Sequence, residues 1–173
     1  IYELLTQERA RQSGALRLIP SENYVSEAVM MTTGSCLTNK YSEGYPNKRY
    51  YEGQQVTDLV ETLAIERAKK VFKSDHANVQ PYSGSIANMI AYNSLIKPGD
   101  TIMGLNLSNG GHLTHGSKGS ITSKIFNSVS YEVDPDTGYL DLNKIEDLAK
   151  QHKPKLIISG FTAYPRAVDF KAF

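Results

Sequence analysis

Residues 38–53 read TNKYSEGYPNKRYYEG and set Tyr41, Tyr45, Tyr50 and Tyr51 around the carboxylate of Glu43 and the cations Lys40, Lys48 and Arg49. Tyrosine offers a rigid apolar ring with a polar tip, so several of them beside an acid suit the wall of a ligand site. An acid held there is a candidate for proton transfer. The competing reading is a structural loop whose rings cover the edge of a core.

A second group is Tyr82-Ser83-Gly84-Ser85, placed where a short strand is expected to hand over to a helix. The first N–H groups of a helix lack internal partners and carry partial positive charge, so a phosphate settles there readily. Gly84 permits close backbone approach, and the hydroxyls of Ser83 and Ser85 add donors. Serine at a helix start can equally be only a cap. The third group, Asn109-Gly110-Gly111-His112-Leu113-Thr114-His115-Gly116, follows an expected strand at the end where open α/β sheets bind ligands. A metal held by His112 and His115 is one reading, weakened by the lack of nearby Cys or carboxylate partners. A nucleotide loop is another, but Ser117-Lys118 reverses the Lys-Ser/Thr order that brings the cation to the phosphate.

The elements expected to hold these groups alternate. Leu4 and Leu5 open a short helix, and Ser26 caps a second one running through Met31. Val56, Leu59, Val60, Leu63, Ala64, Val71 and Phe72 recur at helical spacing, predicting an amphipathic helix over 57–73 with one buried stripe. On it, Glu66 and Lys70 are spaced for a surface pair. Asn78 to Gln80 reads as a strand, Ser85 to Leu95 as a helix stopped by Lys97-Pro98-Gly99, and Thr101 to Leu105 as a strand. Val129 to Val133 is a further strand, Asp134 to Gly138 a turn, Leu142 to Ala149 a helix, and Lys155 to Gly160 a buried strand. Strands alternating with helices predict an α/β fold with a mixed, mostly parallel sheet.

With 173 residues, 40% of them hydrophobic, and a net charge of +1, the chain suits a globular domain. Disorder, a nucleic-acid surface and a membrane patch are not indicated. No apolar run approaches the roughly 18 residues that span a bilayer. The single Cys36 excludes an internal disulfide and a cysteine-built metal cluster, and a cytoplasmic setting is expected. Ile1 stands where an initiator Met is expected, and the last residues carry no terminating signal, so both ends are expected to be cut.

Taken in order, LIPSENY (18–24), the tyrosine-rich loop, QPYSGSIAN (80–88), LNLSNGGHLTHGS (105–117) and GFTAYPRAVD (160–169) resemble serine hydroxymethyltransferase. The resemblance runs along essentially the whole chain but covers only the first part of that family's length. It implies an N-terminal helical arm with the tyrosine-rich loop (1–54), followed by the first part of a large cofactor-binding domain (55–173) of fold type I. It also implies pyridoxal 5'-phosphate as cofactor and tetrahydrofolate as co-substrate, in a homodimer whose active site is shared between subunits.

By the same resemblance, Glu43, Tyr51 and His112 form the catalytic set, with His112 stacked on the pyridine ring. Ser83, Gly84 and Ser85 hold the cofactor phosphate, Tyr41 reaches the phosphate of the neighbouring subunit, Thr162 bonds the phenolic oxygen, and Asn88 neighbours the cofactor. Ser21 lies near the substrate carboxylate, Glu43, Tyr50 and Tyr51 line the hydroxymethyl pocket, and Leu107, Gly111 and Leu113 contact folate. His115 is expected to be a structural hydrogen-bonding partner.

The implied reaction moves the hydroxymethyl carbon of serine to tetrahydrofolate and leaves glycine. The family's cofactor-binding lysine, pyridine-nitrogen carboxylate and substrate arginine are expected beyond residue 173, so the chain alone is expected to be inactive. Tyr82 where the family has His, Glu52 where it has Gly, the Gln54-Gln55 pair and the loop 118–123 depart from the pattern. A pyridoxal-phosphate aldolase acting on threonine or other β-hydroxy amino acids, and a non-catalytic phosphate-binding or interaction remnant, are the alternatives.

Overall fold

The computed structural model describes residues 1–173, which fall into two compact units: residues 1–23 with 85–173, and residues 24–84. The expected division after residue 54 separates Arg49 from the Asp58 and Glu61 carboxylates with which it pairs.

The sheet belongs to the first unit. Strands β3 (Thr101–Leu105), β4 (Asn127–Tyr131) and β5 (Leu156–Ile158) lie in the order β4-β3-β5, all parallel. Parallel neighbours need crossovers, supplied by the loops and short helix α5 (Thr122–Ile125) before β4 and by α6 (Leu142–His152) before β5. The Asp141 side chain starts α6 by accepting from the amides of Asn143 and Lys144. In the same unit are α1 (Tyr2–Ser13), and α4 (Gly84–Leu95) from Ser85 onward.

Side chains alternate across β3, and each face has its own cluster. Ile102 packs with Tyr92 and Ile96, from α4 and its end, and with Phe126. Met103 and Leu105 pack with Tyr131 and with Ile145 of α6. Gly104 lies on the Ile102 side, where an added Cβ would stand 2.8 Å from the His115 carbonyl oxygen and 3.0 Å from the His115 Cβ. The backbone of the histidine loop therefore rests directly on the sheet.

In the second unit, Ser26 Oγ accepts from the Val29 amide at the start of α2 (Glu27–Thr33). A turn at Cys36–Asn39 leads to the antiparallel hairpin of β1 (Gly44–Tyr45) and β2 (Lys48–Arg49), and α3 spans Gln55–Phe72.

Four expectations need correction. The α3 apolar stripe is present but exposed: Val56, Leu59, Val60 and Leu63 have no covering layer. Glu66 pairs with Lys69 rather than Lys70, because residues three apart also face one another on a helix. Asn78 to Gln80 pairs with no strand, and the Gln80 side chain instead donates to the Gly44 carbonyl (2.8 Å) and to Glu61 (2.7 Å). The strand expected at 129–133 begins and ends two residues earlier, and Val133 forms an isolated bridge with Leu140.

Gly104→Ala should cost about 1–3 kcal/mol, because the new methyl meets backbone that cannot swing aside. Urea unfolding measures it, with Gly119→Ala, whose Cβ meets nothing within 4 Å, as the near-neutral control.

Candidate active site

The loop after β3 is built by hydrogen bonds that leave little choice of conformation. Asn106 Oδ1 accepts from the Ser108 amide and opens a turn over Leu107–Asn109, which Gly110 ends at φ 103°. A Cβ on Gly110 would lie 2.6 Å from Tyr164 N, and one on Gly111 would lie 2.0 Å from the Leu105 carbonyl oxygen. Only glycine fits at either place. The Gly110 carbonyl accepts from the amides of Thr162 (2.9 Å) and Ala163 (3.0 Å), which ties the segment carrying Thr162 to this loop.

His112 caps the next turn, Leu113–His115, by accepting from the Thr114 amide at Nδ1 (3.1 Å), and His115 Nδ1 accepts in return from the His112 amide (3.2 Å). Both Nδ1 atoms therefore face backbone donors, and the ring centroids stand 5.7 Å apart. Thr114 Oγ1 lies 2.7 Å from His112 Nδ1 and accepts from Asn88 Nδ2, also at 2.7 Å. This brings α4 to the loop. Thr114 and His115 are buried, His112 half-buried, and Leu107 and Leu113 about half exposed. Burial, helped by the neighbouring His112, pushes His115 down to about 4, so it is neutral near pH 7.

At the start of α4, the first turn carries no acidic residue, and a Cβ on Gly84 would meet nothing within 4 Å. Ser83 precedes Gly84, and Ser85 lies one residue inside the helix.

The tyrosine-rich loop is held by a buried arginine. The Arg49 side chain, 4% exposed, donates to Asp58 (2.8 Å), to Glu61 and to the carbonyls of Ser42 (2.8 Å) and Gly44 (3.0 Å). Its guanidinium holds the Asp58 carboxyl below the usual carboxylate range. Buried Gln54 donates to the Tyr41 carbonyl (2.9 Å), and the Glu43 carbonyl accepts from the Tyr50 amide (3.2 Å). The rings of Tyr41 and Tyr51 meet edge to face at 5.3 Å. Tyr41 and Tyr50 are nevertheless 70% and 78% exposed, so they do not seal a core edge of this chain.

A family model described as serine hydroxymethyltransferase matches residues 1–173, the entire chain. The chain belongs to the serine hydroxymethyltransferase family. It is 60% identical over 173 residues to the serine hydroxymethyltransferase of Coprothermobacter proteolyticus, 59% to that of Desulfotalea psychrophila and 58% to that of Acidothermus cellulolyticus. Each alignment covers 100% of this chain but 42%, 40% and 40% of the respective relative. The chain thus spans about two fifths of the length of the relatives it matches.

In this member of the serine hydroxymethyltransferase family, Asn88, Gly111, His112, Leu113 and Thr162 gather around one loop. Tyr41, Glu43, Tyr50 and Tyr51 gather on another, within the other unit. Ser21 belongs to neither group and lies exposed beside the turn that Glu22 closes by donating to the Ile19 carbonyl. Gln54, one of the departures from the serine hydroxymethyltransferase pattern, serves to hold Tyr41.

The sequence reading assigned no supporting role to Arg49, Gln80, Gly104 or Thr114. A glycine inside a strand is a signal of close backbone approach, so Gly104 was within reach. The other three gave no local signal for these roles, since the Arg49–Asp58, Asn88–Thr114 and Gln80–Gly44 contacts join residues 9 to 36 apart.

Neutral burial of His115 has a sign. Below its ordinary value of 6.5 the unfolded chain takes up a proton that the folded chain refuses until about pH 4. Stability should therefore fall as pH drops from 6.5 toward 4, by up to about 1.4 kcal/mol per unit from this group. His115→Asn keeps an acceptor near the Nδ1 position and loses the titration. Urea unfolding at several pH values should show a steeper dependence in the wild type than in this variant.

Proposed function

We infer that this chain is the N-terminal part of a pyridoxal-phosphate enzyme of fold type I that interconverts serine and glycine, transferring the hydroxymethyl carbon to tetrahydrofolate. The observation that carries the reading is the family match over residues 1–173, joined to a loop in which Asn88 and Thr162 are tied to the segment presenting His112.

The residues present suit the cofactor. An acid-free first turn with open space at Gly84 suits a phosphate, and the missing side chains of Gly110 and Gly111 let the backbone pack tightly beneath a flat ligand. Ser83, Gly84 and Ser85 would hold the phosphate, His112 would lie on the ring, Thr162 would donate to the phenolic oxygen and Asn88 would stand beside it. When bound, pyridoxal phosphate supplies an electron sink that allows the Cα–Cβ bond of serine to break.

The chain's own side chains do the rest. Ser21 meets the substrate carboxylate, while Tyr50 and Tyr51 wall the hydroxymethyl group and limit water. Glu43 moves a proton between the serine hydroxyl and the folate, with Tyr51 and His112 completing the catalytic set. Leu107 and Leu113 offer exposed apolar surface to the folate ring system, and Gly111, packed against the Leu105 carbonyl, holds the loop that presents them. The exposure of Tyr41, Glu43 and Tyr50 is what residues serving the neighbouring subunit of a homodimer require, with Tyr41 reaching that subunit's cofactor phosphate. The lysine that carries the cofactor covalently, the carboxylate at the pyridine nitrogen and the arginine for the substrate would be supplied by sequence beyond residue 173. No helix is long and apolar enough to cross a membrane.

The test is serine cleavage by the full-length protein carrying this chain, with and without tetrahydrofolate. Cleavage that accelerates with folate is expected; folate-independent cleavage of threonine would establish the aldolase instead, and absence of both would establish a remnant. Glu43→Gln in the same protein should lower folate-dependent turnover about 100-fold or more, since proton-transfer groups contribute that much. Near-normal turnover would remove Glu43 from its role.

A further inference from the structure

We propose that Thr114 is a positioning residue for His112: its amide and hydroxyl together pin the Nδ1 edge of the imidazole, place the ring proton on Nε2 and set the ring plane.

The proton inventory leads there from one donor whose proton is not in question. The backbone N–H of Thr114 is directed at His112 Nδ1 at 3.1 Å, so that nitrogen presents its lone pair. A neutral imidazole with a bare Nδ1 carries its proton on Nε2. The Thr114 hydroxyl, 2.7 Å from the same nitrogen, then donates rather than accepts. Its oxygen is left to accept, and Asn88 Nδ2 supplies the donor at 2.7 Å. Every proton in the series Asn88, Thr114, His112 runs one way: a proton on His112 Nδ1 would face the Thr114 amide donor, and a flipped Asn88 amide would set its oxygen against the lone pair of the Thr114 hydroxyl.

The surroundings hold this direction in place. Thr114 is 4% exposed, and Asn88, half-buried, projects from α4 one turn before buried Tyr92, so the helix delivers the amide to the Thr114 hydroxyl. His115, 7% exposed, accepts from the His112 amide and fixes the backbone from which the ring extends. His112 itself is only half-buried. One edge of its ring is taken, while the Nε2–H edge is left for a ligand. Isosteric removal of the hydroxyl would leave the backbone amide as the only donor to Nδ1 and loosen the plane. The catalytic consequence rests on the reading of His112 given under Proposed function, whereas the protonation pattern does not.

The experiment is solid-state nitrogen NMR on the full-length protein labelled with ¹⁵N-histidine, the His112 signals being identified by their loss in His112→Asn. The wild type should show a protonated Nε2 and a bare, hydrogen-bonded Nδ1. A proton found on Nδ1 would overturn the proposal without recourse to any further variant. In Thr114→Val the Nδ1 signal should shift toward that of a weakly bonded nitrogen, and Thr114→Ser should restore it; an unmoved signal in Thr114→Val would also overturn it. In serine cleavage, Thr114→Val should lower kcat about tenfold with KM for serine within about twofold, and Thr114→Ser should recover most of the loss. A kcat unchanged in Thr114→Val would remove the positioning role. If the wild type cleaves no serine, the function reading fails, and the NMR signals still decide the protonation pattern.

Discussion

Contact between the backbone of the histidine loop and strand β3 is the constraint on which this part of the molecule depends. Gly104 has no side chain, so the His115 carbonyl comes within 2.8 Å of where a Cβ would stand. Its neighbours Ile102 and Met103 are fully buried on opposite faces, which prevents the strand from shifting register to relieve a clash. Because His115 is seated there, its Nδ1 can hold the His112 amide, and His112 can hold the Thr114 amide. The loop is positioned by packing and oriented by hydrogen bonds, in that order.

Electrostatics plays the corresponding part in the tyrosine-rich loop. Arg49 is almost wholly covered and meets two carboxylates and two backbone carbonyls, so its charge and four of its five donors are met without water. The Ser42 and Gly44 carbonyls flank Glu43, and the arginine thereby fixes the backbone on either side of that acid. Gln80 adds a second clamp on the Gly44 carbonyl and on Glu61, from the segment that leads toward Ser83 and Gly84. A rigid backbone under exposed rings is a surface prepared to meet something other than its own core.

Much of the architecture was legible in the sequence. The helices α3 and α4 and the strands β3, β4 and β5 fall within about two residues of their expected places, and α6 runs three residues past its expected end, because their apolar residues repeat with the period of the element they form. Asn78 to Gln80 misled because its hydrogen bonds run through the Asn78 and Gln80 side chains rather than along a strand ladder. The α3 stripe misled differently: periodicity reports which face is apolar, not whether anything covers it.

For the candidate site, the order and spacing of residue types by themselves determined the family and supplied the candidate side chains, since those identities need no coordinates. They also placed glycines where the backbone must turn or approach closely. Only the tertiary structure decided which partners hold each side chain: Arg49 with Asp58 and Glu61, Gly104 beneath His115, and Asn88 with Thr114 and His112. The physical reason is that hydrogen-bond direction and close packing are properties of atoms meeting in space, and residues 88 and 114 meet only once α4 and the loop after β3 have folded onto the same sheet.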